Sequence, residues 1–81
     1  MTEIVIFSKP GCQLCDEAKA VLEDVRRDLP FQLAEVDIEG DESLLQQYQY
    51  DIPVIFVNGR KAFKHRVTAE SLRRRLARET Q

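Results

Sequence analysis

The chain has 81 residues, which suits one compact domain spanning residues 1–81. With 43% hydrophobic and 32% charged residues the composition is globular and excludes disorder, and a net charge of -2 gives no global attraction to nucleic acid or to an anionic membrane. No apolar run reaches the roughly 18 residues of a membrane span, and Met1-Thr2-Glu3 has no positive segment of the kind that opens a signal peptide, so the expected location is the cytosol.

Ile4-Val5-Ile6-Phe7 is a continuous, β-branched-rich run. It reads as a strand buried on both faces, central in a sheet covered by helices. Pro10 and Gly11 stop it. From about Cys12 the period changes. Leu14, Ala18, Val21, Leu22, Val25 and Leu29 share one face of an amphipathic helix, with Glu17, Lys19, Glu23, Asp24, Arg26 and Arg27 opposite. Pro30 ends it. Phe31 to Asp37 is a second strand. Its apolar positions shift from odd to even, which predicts a twist or bulge, or burial on both faces. Asp41 is placed to cap a short helix that turns Leu44, Leu45 and Tyr48 inward. The other acids near Gly40 (Asp37, Glu39 and Glu42) lack calcium-loop spacing and read as a turn.

Val54-Ile55-Phe56-Val57 is a third strand opened by Pro53. Asn58-Gly59 is a hairpin signal, since both turn positions need positive φ. A fourth strand, about Lys61 to Lys64, pairs back with lysines suited to an exposed edge. Thr68 is placed to cap a last helix with Leu72 and Leu76 inward. The order β-α-β-α-β-β-α implies an α/β fold, a four-stranded mixed sheet flanked by three helices. Arg73, Arg74, Arg75 and Arg78 read as a solvated face with cations near the C-terminal end of the helix dipole. His65 reads as an ordinary loop or edge histidine, Tyr48 as packing and Tyr50 as open.

Both cysteines, Cys12 and Cys15, lie in FSKPGCQLCDEAK, residues 7–19. In a reducing cytosol a CxxC is read first as redox or metal chemistry. On one helical face their Cβ atoms lie about 5–6 Å apart, and a disulfide needs about 3.5–4.5 Å. A small adjustment therefore closes or opens the ring. Cys12 at the helix start meets free N–H groups and the positive dipole end, which favour a thiolate, and Lys9 adds a nearby positive charge. Cys15, one turn in, faces the core. Cys12 is thus the candidate nucleophile and Cys15 the candidate resolving thiol. Three other readings stand beside this one. A zinc site usually has four ligands, and their spacing pattern is absent here. A metal or iron–sulfur site could be bridged between subunits. The two cysteines could also be ordinary core residues.

Lys9-Pro10-Gly11-Cys12-Gln13-Leu14-Cys15 opening a helix, with Ile52-Pro53-Val54 opening a later strand, resembles the glutaredoxins. The match is nearest to short glutaredoxin-like proteins whose motif reads C-x-L-C-D-x-A. The resemblance implies the thioredoxin fold, a cis peptide bond before Pro53 facing the cysteines, and an Ile52 backbone that pairs with a bound peptide or glutathione strand. It carries over Cys12 and Cys15 as the catalytic pair. Lys9, Gln13, Ile52, Pro53 and Thr68 follow as the surface for a disulfide-bearing protein or glutathione. Without the resemblance, Lys9 is a solvated loop lysine and Pro53 a trans proline at a strand start. The usual Cys-Pro-Tyr-Cys is here Cys12-Gln13-Leu14-Cys15. The Gly-Gly pair that glutaredoxins carry after the last strand is replaced by Lys64-His65-Arg66-Val67-Thr68-Ala69-Glu70.

The expectation is therefore a monomeric thiol-disulfide oxidoreductase with no bound cofactor and no metal, glutathione being a candidate co-substrate and a reductase a candidate partner. A thioredoxin-fold binding module without efficient turnover is the alternative.

Overall fold

The computed structural model describes residues 1–79, so Thr80 and Gln81 of the expected 1–81 domain lie outside the described residues. The elements are β1 (Glu3–Ser8), α1 (Gln13–Asp28), β2 (Gln32–Asp37), α2 (Glu42–Tyr48), β3 (Val54–Val57), β4 (Arg60–Lys64) and α3 (Ala69–Glu79), with a 3-10 turn at Ile38–Gly40 before α2. The expected order holds, and the sheet is mixed. Its strands run β2-β1-β3-β4, with β1 parallel to β2 and antiparallel to β3, and β3 antiparallel to β4.

Side chains alternate across a strand, and β1 shows this directly. Ile4, Ile6 and Ser8 are buried, whereas Val5 and Phe7 are half-buried. The strand is central as expected, but only one of its faces is fully covered. On that face Ile4 and Ile6 join Ile55 and Val57 of β3, Ala18, Leu22 and Val25 of α1, and Leu72 and Leu76 of α3 in the main core. The other face carries a smaller cluster in which Cys15, Ile38 and Ile52 are buried, with Phe7, Leu44, Leu45 and Tyr48 packed around them. Phe7 lies 5.0 Å from Tyr48 edge to face and 5.1 Å from Phe56.

Two readings of β2 are corrected. The strand starts at Gln32, and Phe31 precedes it as a buried anchor. Its register with β1 is unbroken from Glu3↔Gln32 to Ser8↔Asp37, with no bulge. The odd-to-even shift arises because Leu33 leans on the main core while Val36 lies on the opposite face of an edge strand. The register irregularity of the sheet falls instead between Ile55 and Phe56, opposite β4. Leu29 is corrected too. It is the C-cap of α1 and is 39% exposed, because the helix ends before its side chain can turn inward.

The turn chemistry follows the sequence. Asn58 and Gly59 have φ of 50° and 83°, as the two-residue hairpin requires. Asn58 also exchanges two hydrogen bonds with Glu3: its N–H donates to the Glu3 carbonyl at 2.8 Å and its Oδ1 accepts from the Glu3 N–H at 2.9 Å. Asp41 Oδ1 accepts from the N–H groups of Ser43 and Leu44 and caps α2. Three of the α3 arginines are ion-paired: Arg73 to Asp28, Arg74 to Glu70 and Arg75 to Glu79.

Candidate functional site

The carboxyl end of β1 feeds the CxxC through a tight loop. Gly11 sits at φ +75°, a conformation that side chains rarely adopt, and this turns the chain into α1. Cys12 is the N-cap, extended at φ −97° and ψ 106°. Its Sγ accepts from the Cys15 N–H at 3.2 Å, as a serine or aspartate oxygen would at this position. The two cysteines form a disulfide with Cα atoms 5.2 Å apart, inside the usual span of about 4.4–6.8 Å. Cys12 is half-buried at the surface. Cys15 is 0% exposed and lies against Ile38 and Ile52. The ring thus presents one sulfur to solvent and hides the other.

The second wall is the segment leading into β3. The Ile52–Pro53 bond is cis, and both residues are buried. Ile52 packs in the same cluster as Cys12 and Cys15, so this segment faces the thiols. The Ile52 N–H donates to the Tyr48 carbonyl at 3.2 Å, closing the end of α2. Among the described residues no hydrogen bond reaches the Ile52 carbonyl. The nearby carbonyls of Tyr50 and Pro53 are engaged, and by one residue. The His65 N–H donates to the Pro53 carbonyl at 2.8 Å, and His65 Nε2 lies 3.0 Å from the Tyr50 carbonyl. Sequence reasoning gave His65 no place in the site. The displaced Gly-Gly pair was the signal available, because it marks a backbone position where φ is free to be positive.

The remaining sequence-predicted residues divide. Gln13 is exposed at the first turn of α1, beside the sulfurs along the chain. Thr68 borders a groove of about 160 Å³ that also touches Leu14, Ala18, Val21, His65 and Val67. Its hydroxyl accepts from the Ser71 N–H at 3.1 Å while its own N–H donates to Ser71 Oγ at 3.2 Å, a reciprocal cap. Thr68 caps α3 as expected, and these two N–H groups are already engaged. Lys9 lies elsewhere. It is half-buried and borders a small hollow with Ser8, Pro10, Asp16, Lys19 and Glu35, on the β2 side of the loop.

That hollow holds a polar cluster under the CxxC loop. Ser8 is 1% exposed and donates to Glu35 Oε2 at 3.1 Å, and Lys19 donates to the same oxygen at 2.7 Å. These bonds, the Lys19 bond first, hold the Glu35 carboxyl below the usual carboxylate range, and the Glu35 bond raises the Lys19 ammonium. A depressed carboxyl contributes stability that is present above its unfolded pKa and is lost as pH falls through its folded value. The Lys19 contribution is present below the ordinary lysine pKa and is lost in strong base. The Glu35 side chain is 50% exposed, so solvent screening limits the pair to about 1 kcal/mol or less. Glu35→Gln is expected to lower the urea midpoint slightly at neutral pH. It is also expected to flatten the rise in stability between about pH 3 and pH 6, which a urea series over that range checks. An unchanged pH dependence would show that Glu35 contributes nothing.

Among the described residues no group of three or more His, Cys, Asp or Glu side chains is placed to hold a metal ion. No helix among them is long and apolar enough to cross a membrane. Known proteins share this architecture. Residues 3–77 match the family model described as Glutaredoxin-like domain (DUF836). A Dictyostelium discoideum protein named glutaredoxin-like protein YDR286C homolog is 33% identical over 75 residues, covering 85% of this chain and 69% of that protein. The structural genomics target XcR50 from X. campestris superposes with a TM-score of 0.80 at 26% identity, over 93% of this chain and 96% of its own. Chloroplastic thioredoxin z gives a TM-score of 0.80 at 16% identity, over 100% of this chain and 80% of its own, a likeness of fold. With the matched CxxC, the cis proline opposite it and the thioredoxin fold around both, the chain belongs to the glutaredoxin-like domain family.

Proposed function

We propose that this protein is a thiol-disulfide oxidoreductase that reduces protein disulfides or glutathione mixed disulfides through Cys12 and Cys15. The observation that carries the reading is the asymmetry of the pair: Cys12 surfaces at the start of α1, and Cys15 is buried one turn in. In the reduced protein the Cys12 thiolate, favoured by the helix N-terminus, attacks one sulfur of a substrate disulfide. A Cys12–substrate disulfide forms and the other substrate sulfur leaves as a thiolate. Cys15, as thiolate, then attacks Cys12 Sγ. The Cys12–Cys15 disulfide forms and the second substrate thiolate departs, so two electrons have passed to the substrate. Two external thiols return the pair to the dithiol. The electrons are stored in the protein's own sulfurs, so no resident cofactor is required. Glutathione enters as a co-substrate.

In this reading the Ile52 carbonyl, next to Pro53, accepts a hydrogen bond from the substrate strand. Lys9 supplies positive charge near the loop, and Gln13 and Thr68 flank the approach. A cytosolic setting, where glutathione and thioredoxin systems keep thiols reduced, suits the cycle, and a monomer suffices for it.

The test is a reduction assay on the oxidised protein, with the glutathione system and thioredoxin reductase supplied separately. The expected result is uptake of two electrons, exposing the chain's two thiols, followed by reduction of a disulfide-bonded peptide. The reductant that works identifies the partner class. Failure with both would overturn the redox reading and leave a binding module.

A further inference from the structure

We propose that His65 is a positioning residue: a strap that holds the 50–53 segment with the Ile52 carbonyl turned toward the incoming substrate. The substrate part of this inference rests on the redox reading above.

His65 has φ +67°, and the Arg66 N–H donates to the Lys64 carbonyl at 2.8 Å across it. This is a γ-turn of positive φ, a rare and strained conformation for a residue with a side chain. Such strain persists only where the surroundings impose it, and it gathers at functional sites. Here the strained turn accomplishes two things. It aims the His65 N–H at the Pro53 carbonyl, 2.8 Å away, and it lays the ring against the segment so that Nε2 lies 3.0 Å from the Tyr50 carbonyl. With the proton on Nε2, the ring donates to that carbonyl.

The two bonds reach residues 50 and 53, one on each side of Ile52. Ile52 and Pro53 are anchored by burial, but the Tyr50 end of the segment has little else to hold it. Tyr50 is 84% exposed, and α2 ahead of it contains no buried residue. The described bonds within the chain are those of the Asp51 and Ile52 N–H groups to the Tyr48 carbonyl. Without the ring, residue 50 is therefore anchored only from its α2 side. The main-chain bond to Pro53 does not depend on the side chain, which separates the two halves of the strap experimentally.

Glycine at 65 accepts positive φ without strain and removes the ring. Glutamine keeps an amide nitrogen at a reach similar to Nε2. The experiment compares wild type, His65→Gly and His65→Gln as full chains. It measures the thermal midpoint, the iodoacetamide reaction rate of reduced Cys12, KM and kcat on a disulfide-bonded peptide, and hydrogen exchange of the Asp51 and Ile52 amides. For His65→Gly the expected result is an unchanged or higher midpoint, a Cys12 rate within about twofold, unchanged kcat and faster exchange at both amides. KM rises about fivefold, the order of factor that one hydrogen bond supplies. His65→Gln is expected to stay near wild type in every readout.

Wild-type KM and exchange in His65→Gly would overturn the strap while leaving the redox reading intact. A raised KM with unchanged exchange would also overturn it, since His65 would then act on the substrate directly. If wild type reduces no disulfide, the redox reading fails separately. The exchange rates then decide alone: faster exchange supports the strap, and unchanged exchange overturns it.

Discussion

Cys12→Ser is expected to reduce disulfide-reducing activity to the uncatalysed background, the largest functional effect of any single change in this chain. A serine hydroxyl can still accept the Cys15 N–H at the N-cap, so the fold keeps its helix start. What is lost is the thiolate, the only species that attacks a disulfide sulfur. Cys15→Ser is expected to differ in kind. The first step proceeds, but no buried thiol remains to release the substrate, so a Cys12–substrate mixed disulfide accumulates. Non-reducing electrophoresis and intact mass show this directly. Turnover on a glutathione mixed disulfide is retained where a second glutathione can release the adduct, and is lost on protein disulfides that need Cys15. Full activity in Cys12→Ser would overturn the assignment of the two roles. Trapping in Cys12→Ser with none in Cys15→Ser would reverse it.

The second large effect falls on stability. Leu22→Ala is expected to cost about 2–5 kcal/mol, the transfer loss plus the cavity left where α1 meets the sheet. Leu22 is 0% exposed and sits with Ile4, Ile6, Ile55 and Leu72 in the main core. At about 0.05–0.15 kcal/mol per residue, a domain of this size has a total stability of roughly 4–12 kcal/mol. At the middle of both ranges, about 3.5 of about 8 kcal/mol, somewhat under half of it rests on this one side chain. Leu29→Ala is the control. Leu29 is 39% exposed at the C-cap of α1, and its truncation is expected to cost under about 1 kcal/mol. Urea unfolding of both variants, oxidised throughout, checks the contrast. Equal midpoints would mean that α1 does not anchor the core through Leu22.

The difference between those two leucines also shows what the sequence could and could not carry. Both fall on the apolar face by spacing. Only the chain end of α1, fixed by Pro30 and the return into β2, decides that Leu29 stays outside. Features encoded locally were legible: the CxxC at a helix start, the Asn58-Gly59 turn, the Asp41 and Thr68 caps, and the order of strands and helices. The cis bond before Pro53 was legible through the resemblance, since no local rule distinguishes it from a trans proline at a strand start. Features that need two distant segments brought together were not. Ser8 and Glu35 meet because β1 and β2 pair in one particular register, which the shifted apolar pattern of β2 obscured. His65 meets Tyr50 and Pro53 because β4 returns along β3, and the replaced Gly-Gly pair pointed at most to a backbone position, not to either contact.

The two faces of the sheet are unequally covered, and the thiols lie on the thinner side. The main core binds β1, β3, α1 and α3 into one block, whereas α2 rests on Ile38 and Phe7 through half-buried Leu44, Leu45 and Tyr48. Segments with few buried apolar contacts open at far lower free energy than the whole domain. By this rule α2 is expected to open at lower free energy than the block that carries α1. The division separates durability from reactivity: substitutions that adapt the thiol side to a different partner can accumulate on α2 while the load on Leu22 stays the same.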